Sequence, residues 1–179
     1  MPVVPVRRLH ELVLQVYRRL PRKVRRWIVR ALAPSFTVGA MCIIERPDGA
    51  VLLVRHSYRD RWGVPGGLLQ RGEDSAVGAR REVLEEVGLD VELLGEPAVV
   101  VDATPQRVDI VFRARPVPAA DLDAIRPGSV EITETAWFPR TELPALQFET
   151  TTALMALARS AAAPQADPIV PRPWSEDRR

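Results

Sequence analysis

The side chains of this sequence that can do chemistry are concentrated in residues 63–89, GVPGGLLQRGEDSAVGARREVLEEVGL. The stretch ends in a predicted helix that carries Glu82, Glu85 and Glu86 at positions i, i+3 and i+4. This spacing predicts that the three carboxylates converge on one face of the helix. Like charges this close destabilise a helix, and a bound divalent cation would offset the repulsion. Oxygen-only ligands suit Mg²⁺ or Mn²⁺ better than zinc.

The turn before this helix, residues 63–67, contains an adjacent pair of glycines. Such a pair frees the backbone to present carbonyl and N–H groups to a ligand at close range. Glu73 follows Gly67 by six residues and is placed to fold back toward the helical carboxylates. The alternative for the helix is an ordinary solvated acidic face, but that alternative leaves the glycine turn unexplained.

The segment from Gly67 to Leu89 resembles the signature of the Nudix hydrolase family, G-x5-E-x7-R-E-U-x-E-E-x-G-U, in which U is a bulky aliphatic residue. Its 23 residues match every fixed position. The resemblance extends over about residues 36–160 through the predicted order of strands and helices. It implies an α/β fold, a Nudix-type α/β/α sandwich with a mixed β-sheet, in which this Nudix box forms a loop–helix–loop. It also implies a Nudix pyrophosphohydrolase that cleaves a diphosphate linkage in a nucleoside diphosphate derivative.

The same resemblance implies roles for individual residues. Glu85 and Glu86, with the backbone carbonyl of Gly66, are the expected main ligands of Mg²⁺ or Mn²⁺. Glu82 is expected to be a further ligand or the general base. Glu73 is expected to be a supporting carboxylate. Arg81 is expected to be the cation that orients the glutamates and to complete the catalytic set.

Candidate site residues also lie outside the Nudix box. Some family members take a further acid from a late loop, and Glu131 is the candidate here for a metal ligand or the base. The alternative for Glu131 is an ordinary carboxylate at a strand edge. Trp62 and Trp137 are candidates for stacking on a nucleotide base or for core packing. Substrate contacts are expected at and just before the glycine pair, from Arg55, His56, Arg61, Trp62 and Gly67.

The elements that must position these residues are strands interleaved with two helices. Alternating or continuous apolar runs predict strands at about 36–45, 50–55, 91–94, 97–102, 108–114 and 131–138. The box helix has Asp74 or Ser75 as its predicted N-cap and Gly88 as its C-terminal stop. A helical turn is expected around residues 121–125 and a last helix over 149–163. Gly78 inside the box helix is interpreted as a point of close packing.

The charge is distributed unevenly along the 179 residues. Residues 1–33 hold nine basic side chains and one acid, a net charge of +8, whereas the remainder has 16 bases and 22 acids, a net charge of −6. The mildly acidic body argues against a surface that coats nucleic acid. The single cysteine, Cys42, excludes an intrachain disulfide and is expected to be buried. No spanning segment or secretory signal is recognisable, so a cytoplasmic location is expected.

The chain is predicted to have three parts, a basic helical extension (1–33), a Nudix hydrolase domain (34–163) and a mobile proline-rich tail (164–179). In the extension, residues 7–32 form two amphipathic helices divided by Pro21. They are interpreted either as a hairpin that packs on the body or across a homodimer, or as a contact for anionic lipid or nucleic acid.

Two alternatives to a hydrolase with a small nucleotide diphosphate substrate stay open. One is a catalytically silent Nudix-fold domain with a nucleotide-binding or regulatory role, although such a domain would be expected to lose box glutamates. The other is a protein tethered to a membrane or RNA through its basic helices. An isomerase of isopentenyl diphosphate on the same fold needs a reactive cysteine, and Cys42 lies in an apolar strand. The motif leaves open which substrate is cleaved, with nucleotide sugars, ADP-ribose and nucleoside triphosphates as candidates.

Overall fold

The computed structural model describes residues 6–162, apart from the side chains of residues 6–10, 12 and 13. The helices are α1 (Val6–Arg19), α2 (Arg22–Leu32), α3 (Ser75–Val87) and α4 (Phe148–Ala162). The strands are β1 (Thr37–Ile44), β2 (Val51–His56), β3 (Trp62–Gly63), β4 (Gly66–Leu68), β5 (Val91–Asp102), β6 (Arg107–Pro116) and β7 (Ile132–Phe138). The predicted tail lies outside the described residues.

The described residues divide into two compact units. Those of Met1–Thr37 and Val101–Val108 form the first unit, and those of Val38–Val100 and Asp109–Arg179 form the second. In the first unit, α1 and α2 lie where the sequence predicts two helices, with Pro21 directly before α2. No helix in the described part of the chain is long and apolar enough to cross a membrane.

The strands form two sheets. One has the order β4-β1-β6-β5 and the other the order β3-β2-β7. β4 runs antiparallel to β1, with Ala40 opposite Gly67 and Met41 opposite Gly66. β2 runs antiparallel to both β3 and β7. The glycine turn therefore passes from one sheet to the other, because its first half pairs with β2 and its second half with β1.

Alternation along the strands divides the core between two helices. Ala40, Cys42 and Ile44 of β1 belong to a buried cluster that includes Ala79, Val83 and Val87 of α3. Met41 and Ile43 belong to a second cluster that includes Ala153 and Leu157 of α4. Because successive strand residues point to opposite faces, strands lie between α3 and α4. This arrangement is the predicted three-layer α/β/α sandwich.

The box helix begins and ends where its capping residues predict. The Asp74 carboxylate accepts hydrogen bonds from the N–H groups of Ala76 and Val77, at 2.9 and 3.2 Å. Gly88 takes the left-handed conformation with φ 67°, and its N–H donates to the carbonyl of Leu84. These caps satisfy backbone groups at both ends of the helix, which otherwise lack partners.

Two expectations about the strands were wrong. The strands predicted at 91–94 and 97–102 are one continuous strand, β5, in which Gly95 takes a positive φ of 64°. The glycine turn, expected to be a turn alone, contains the short strands β3 and β4. Both differences arise from pairing with distant strands, which supplies backbone partners that local sequence does not reveal.

Candidate active site

The glycine pair lies directly against the acidic face of α3. A Cβ on Gly67 would be 2.5 Å from Cδ of Glu82, so the carboxylate rests on the bare backbone of β4. A Cβ on Gly66 would be 2.4 Å from the carbonyl oxygen of Ala40, and φ there is +152°. The N–H of Gly66 donates to Oε2 of Glu86 at 3.0 Å. Gly66 therefore needs to be glycine because of its positive φ and its contact with β1, whereas the lack of a side chain at Gly67 makes room for the Glu82 carboxylate.

Arg81 joins three of the four box glutamates. Its Nε and Nη2 donate to the two carboxylate oxygens of Glu73, at 2.8 and 2.9 Å. Its Nη1 donates to Glu82 at 2.8 Å and to Glu85 at 3.1 Å. The paired bonds to Glu73 form a bidentate fork, the strongest geometry between these groups. The N–H of Gln70 also donates to Glu73, which fixes the loop before α3.

The four glutamates have different electrostatic environments. Hydrogen bonding to Arg81 lowers the pKa of Glu73 to about 2. Burial raises the pKa of Glu82, the charges of Glu86 and Glu85 add to that rise, and Arg81 opposes it. The pKa of Arg81 is raised, chiefly by its hydrogen bond to Glu73. The cluster holds four carboxylates and one guanidinium, and this excess of acidic groups favours a further cation.

His56 extends the site from the end of β2. Its Nε2 lies 3.7 Å from Oε1 of the buried Glu86. Its Nδ1 lies 3.3 Å from the amide Nε2 of Gln147, which also donates to the carbonyl of Arg61 at 3.0 Å. Because an amide nitrogen can only donate, Nδ1 must accept in this contact. The ring proton is thereby assigned to Nε2, the nitrogen that faces Glu86.

Glu131 approaches the same part of the molecule from the residue before β7. Its carbonyl accepts a hydrogen bond from the N–H of Ser57 at 2.8 Å. Burial raises the pKa of Tyr58, and the charge of Glu131 adds to the rise, with a smaller contribution from Glu86. Tyr58 therefore lies within the electrostatic reach of Glu131 and Glu86 together.

Comparison with known proteins places this geometry in a family. The family model described as the NUDIX domain matches residues 35–157. This chain belongs to the Nudix hydrolase family. A MutT-like protein of Streptomyces ambofaciens is 31% identical over 110 residues, which cover 62% of this chain and 68% of that protein. The human 8-oxo-dGDP phosphatase NUDT18 is 34% identical over 115 residues, which cover 61% of this chain and 33% of that protein.

A solved structure supports the same assignment. The crystal structure of a NUDIX hydrolase from Nitrosomonas europaea superposes with a TM-score of 0.61 and is 29% identical. The match covers 73% of this chain and 76% of that one. The predicted family and fold are confirmed, and the predicted enzyme class, a Nudix pyrophosphohydrolase, is that of the family.

The predicted metal ligands are Gly66, Glu82, Glu85, Glu86 and Glu131. Among the described residues, no three His, Cys, Asp or Glu side chains are arranged so that they could hold a metal ion. Arg81 engages Glu82 and Glu85, and the N–H of Gly66 engages Glu86. The ligand set therefore stays a prediction.

The predicted substrate residues fall into two groups. His56 and Gly67 contact the box glutamates, as described above. Trp62 is only 8% exposed and packs edge-on against Phe138 at 5.0 Å, so core packing accounts for it. Arg55 lies over the Trp62 ring and forms an ion pair with Glu134 at 3.0 Å. Packing and ion pairing thus occupy Trp62 and Arg55, whereas Arg61 is exposed, and the substrate contacts of all three stay predictions.

Sequence reasoning missed two polar residues that anchor the glycine turn, Gln147 and Thr150. The N–H of Gln147 donates to the carbonyl of Trp62, in addition to its side-chain contacts. The Thr150 hydroxyl accepts from the N–H of Val64 at 3.2 Å and is fully buried. Their spacing in the sequence could have revealed them, because the two lie three residues apart, at the helical period of the buried positions Ala153 and Leu157.

Proposed function

We propose that this chain is a metal-dependent Nudix hydrolase that cleaves a diphosphate linkage in a nucleoside diphosphate derivative. The observation that carries the proposal is the contact between the glycine pair and the acidic helix. Glu82 rests on Gly67, Glu86 accepts from the N–H of Gly66, and Arg81 holds the other side of the carboxylate cluster. A solvated acidic helix face would require none of these contacts.

The chemistry of the proposed donors suits Mg²⁺ or Mn²⁺, although their side chains are not arranged around a common point in this structure. Glu82, Glu85 and Glu86, with the carbonyl of Gly66, would hold the ion, and Glu131 is the candidate for a further ligand. All of these donors are oxygens, the ligand type that Mg²⁺ and Mn²⁺ prefer. A bound ion of this kind lowers the pKa of a water ligand and neutralises charge on phosphate oxygens.

The other residues of the site act by positioning and by handling a proton. Arg81 fixes Glu73 and limits the directions that Glu82 can take. Nε2 of His56 lies 3.7 Å from Oε1 of Glu86, which is too long for a hydrogen bond but places the ring beside that carboxylate. Glu82 and Glu131 are the two candidates for the general base. The raised pKa of Glu82 suits a base, whereas Glu131 directly precedes β7 and its backbone carbonyl is bonded to the N–H of Ser57.

Oxidised guanine nucleotides are the first substrates to test. The human and mouse relatives named 8-oxo-dGDP phosphatase NUDT18 are 34% and 30% identical to this chain. The aligned region covers a third of each of those proteins, so their activity is transferred here only as a proposal. Tyr58, which is 64% exposed and whose ring centre lies 5.4 Å from that of His56, is a candidate to stack on the base.

The test is a screen of the full chain against a nucleotide panel with Mg²⁺, with Mn²⁺ and with EDTA. The panel contains 8-oxo-dGDP, 8-oxo-dGTP, their unmodified counterparts, ADP-ribose and a nucleotide sugar, and the products are identified by chromatography. We expect metal-dependent cleavage at a diphosphate linkage of at least one compound. If a folded, metal-loaded protein cleaves none of them, the silent nucleotide-binding domain becomes the better account.

A further inference from the structure

The first unit contains a cleft that the proposed hydrolase does not use. It has a volume of about 580 Å³ and is lined by the end of α1 and one side of α2, through Tyr17, Arg22, Arg25, Arg26, Val29 and Arg30. Four of these six residues are arginines and none is acidic. A cleft of this composition has a strongly positive potential and attracts anions.

The arginines of the cleft lack acidic partners. Within the described part of the chain, Arg22, Arg25, Arg26 and Arg30 make no ion pair with an aspartate or glutamate. Arg46, Arg55, Arg81 and Arg115, by contrast, are each paired with a carboxylate. Four cations held on one helix face without counter-charges repel one another.

Arg25 provides a second, independent indication of a ligand. Its guanidinium carbon lies 5.9 Å from the centre of the Tyr17 ring, which positions the head group at the wall of the cleft. Its Nε is buried and has no hydrogen-bond partner within the described residues. An unsatisfied buried donor costs free energy, and an acceptor brought by a ligand would remove that cost.

The start of α2 adds a third indication. Pro21 precedes the helix and supplies no side-chain hydrogen bond to its first turn. That turn contains no acidic residue, although it contains Arg22 and Lys23. Basic side chains at the positive end of a helix dipole are unfavourable, and an anion at that end is favourable.

We propose that this cleft binds a phosphate group, carried either by a soluble phosphorylated compound or by an anionic lipid headgroup. A phosphate offers three oxygens and up to two negative charges, and arginine forks match that geometry bidentately. A carboxylate offers two oxygens and one charge, which leaves most of the four guanidinium groups unmatched. This phosphate site does not depend on the proposed hydrolysis, because it lies in the first unit and involves no residue of the Nudix box.

The test compares two double variants of the full chain that carry the same change in charge. Arg25→Gln with Arg26→Gln alters the cleft, whereas Arg18→Gln with Arg19→Gln removes two cations at the end of α1 that do not line it. Calorimetric titration with inorganic pyrophosphate in EDTA measures the soluble arm, because chelation removes any metal from the Nudix box. Sedimentation with phosphatidylcholine vesicles that contain phosphatidate, against pure phosphatidylcholine vesicles, measures the lipid arm.

We expect the wild type to bind in at least one arm. The cleft variant should bind at least about tenfold more weakly, and the matched control should stay within about twofold of the wild type. Binding of pyrophosphate identifies a soluble ligand, and binding of phosphatidate vesicles alone identifies a lipid headgroup. The proposal is overturned if the wild type binds neither pyrophosphate nor phosphatidate vesicles. It is also overturned if both double variants lose affinity equally, because that result indicates diffuse attraction to any polyanion, including RNA.

Circular dichroism establishes whether the variants keep their helices. If the glutamine pair loses helicity, Arg25→Lys with Arg26→Lys replaces it, because lysine keeps the charge and removes the guanidinium fork. If the cleft binds phosphate, the lysine pair should keep its helicity and lose affinity several-fold. Unchanged affinity of the lysine pair would contradict the proposal. Hydrolysis of the nucleotide panel is measured separately, so failure of the phosphate site and failure of the hydrolase are distinguishable.

Discussion

Replacing Gly67 by alanine should reduce catalysis while leaving the fold intact. The added Cβ would lie 2.5 Å from Cδ and from Oε2 of Glu82, whereas ordinary contacts begin at 3.4 Å. The carboxylate must therefore retreat by about 0.9 Å. The group that moves is the far end of a flexible side chain, so the rotation costs little folding free energy. A catalytic group displaced by about 1 Å costs roughly a hundredfold in rate.

Gly66→Ala is the matched control, because the same methyl group one residue earlier meets the backbone instead. Its Cβ would lie 2.4 Å from the carbonyl oxygen of Ala40 and 2.7 Å from Cα of Met41, and Gly66 has a positive φ. Backbone strain of about 1–3 kcal/mol and overpacking of a similar size should both appear as lost stability. We expect Gly67→Ala to change the free energy of unfolding by less than about 1 kcal/mol.

The assay measures kcat, KM and urea unfolding for both variants on the best substrate of the panel. The expected pattern is a large fall in kcat without unfolding for Gly67→Ala, and a clear loss of stability for Gly66→Ala. If Gly67→Ala keeps kcat within twofold of the wild type, Glu82 does not need the position seen in the structure. If it unfolds as readily as Gly66→Ala, the assumption that Glu82 yields cheaply is wrong.

Three further predictions concern stability and reactivity. Because the pKa of Glu73 is lowered from 4.5 to about 2, its ionised form stabilises the fold above pH 4.5, and that contribution is lost as the pH falls toward 2. In urea unfolding, the free energy of unfolding of Glu73→Gln should therefore decline less steeply over this pH range than that of the wild type. Thr150→Val leaves the buried N–H of Val64 without its acceptor and should cost about 1–3 kcal/mol in urea unfolding. Burial raises the pKa of Cys42 to about 12, so Ellman's reagent at pH 8 should label the thiol only as fast as the protein unfolds.

Each of these has its own control or contradicting result. An unchanged slope with pH in Glu73→Gln would mean that its bonds to Arg81 do not contribute to folding. Thr150→Ser keeps the hydroxyl and should retain most of the stability that valine removes. Rapid labelling of Cys42 under conditions where the protein stays folded would contradict its burial.

Local signals were sufficient to predict the box helix and its immediate surroundings. The Asp74 cap, the Gly88 stop and the apolar stripe all lie within or next to α3, so the sequence specifies the helix without reference to distant residues. The interpretation of Gly78 as close packing is also confirmed, since a Cβ there would be 2.4 Å from the Leu69 side chain. The resemblance to the Nudix signature implied that Arg81 orients the glutamates; Arg81 is bonded to three of them, and its role stays a prediction.

Features that depend on distant pairing could not be predicted in this way. Gly95 and Pro97 are typical strand breakers, yet β5 continues through them beside β6. Trp62 precedes the glycine turn in a position that suggested substrate contact, and only the packing of Phe138, 76 residues later, identifies it as core. Gln147 contacts His56 across 91 residues of sequence, so no local pattern connects the two.

The most direct test of the central claim is turnover by Glu85→Gln with Glu86→Gln on the best substrate of the panel, over a titration of Mg²⁺. Glutamine preserves the size of each side chain and removes the charge that a divalent cation requires. We expect kcat to fall by at least about a thousandfold at saturating Mg²⁺, with thermal unfolding still cooperative. Turnover close to that of the wild type would contradict the assignment of the catalytic site to the acidic face of α3.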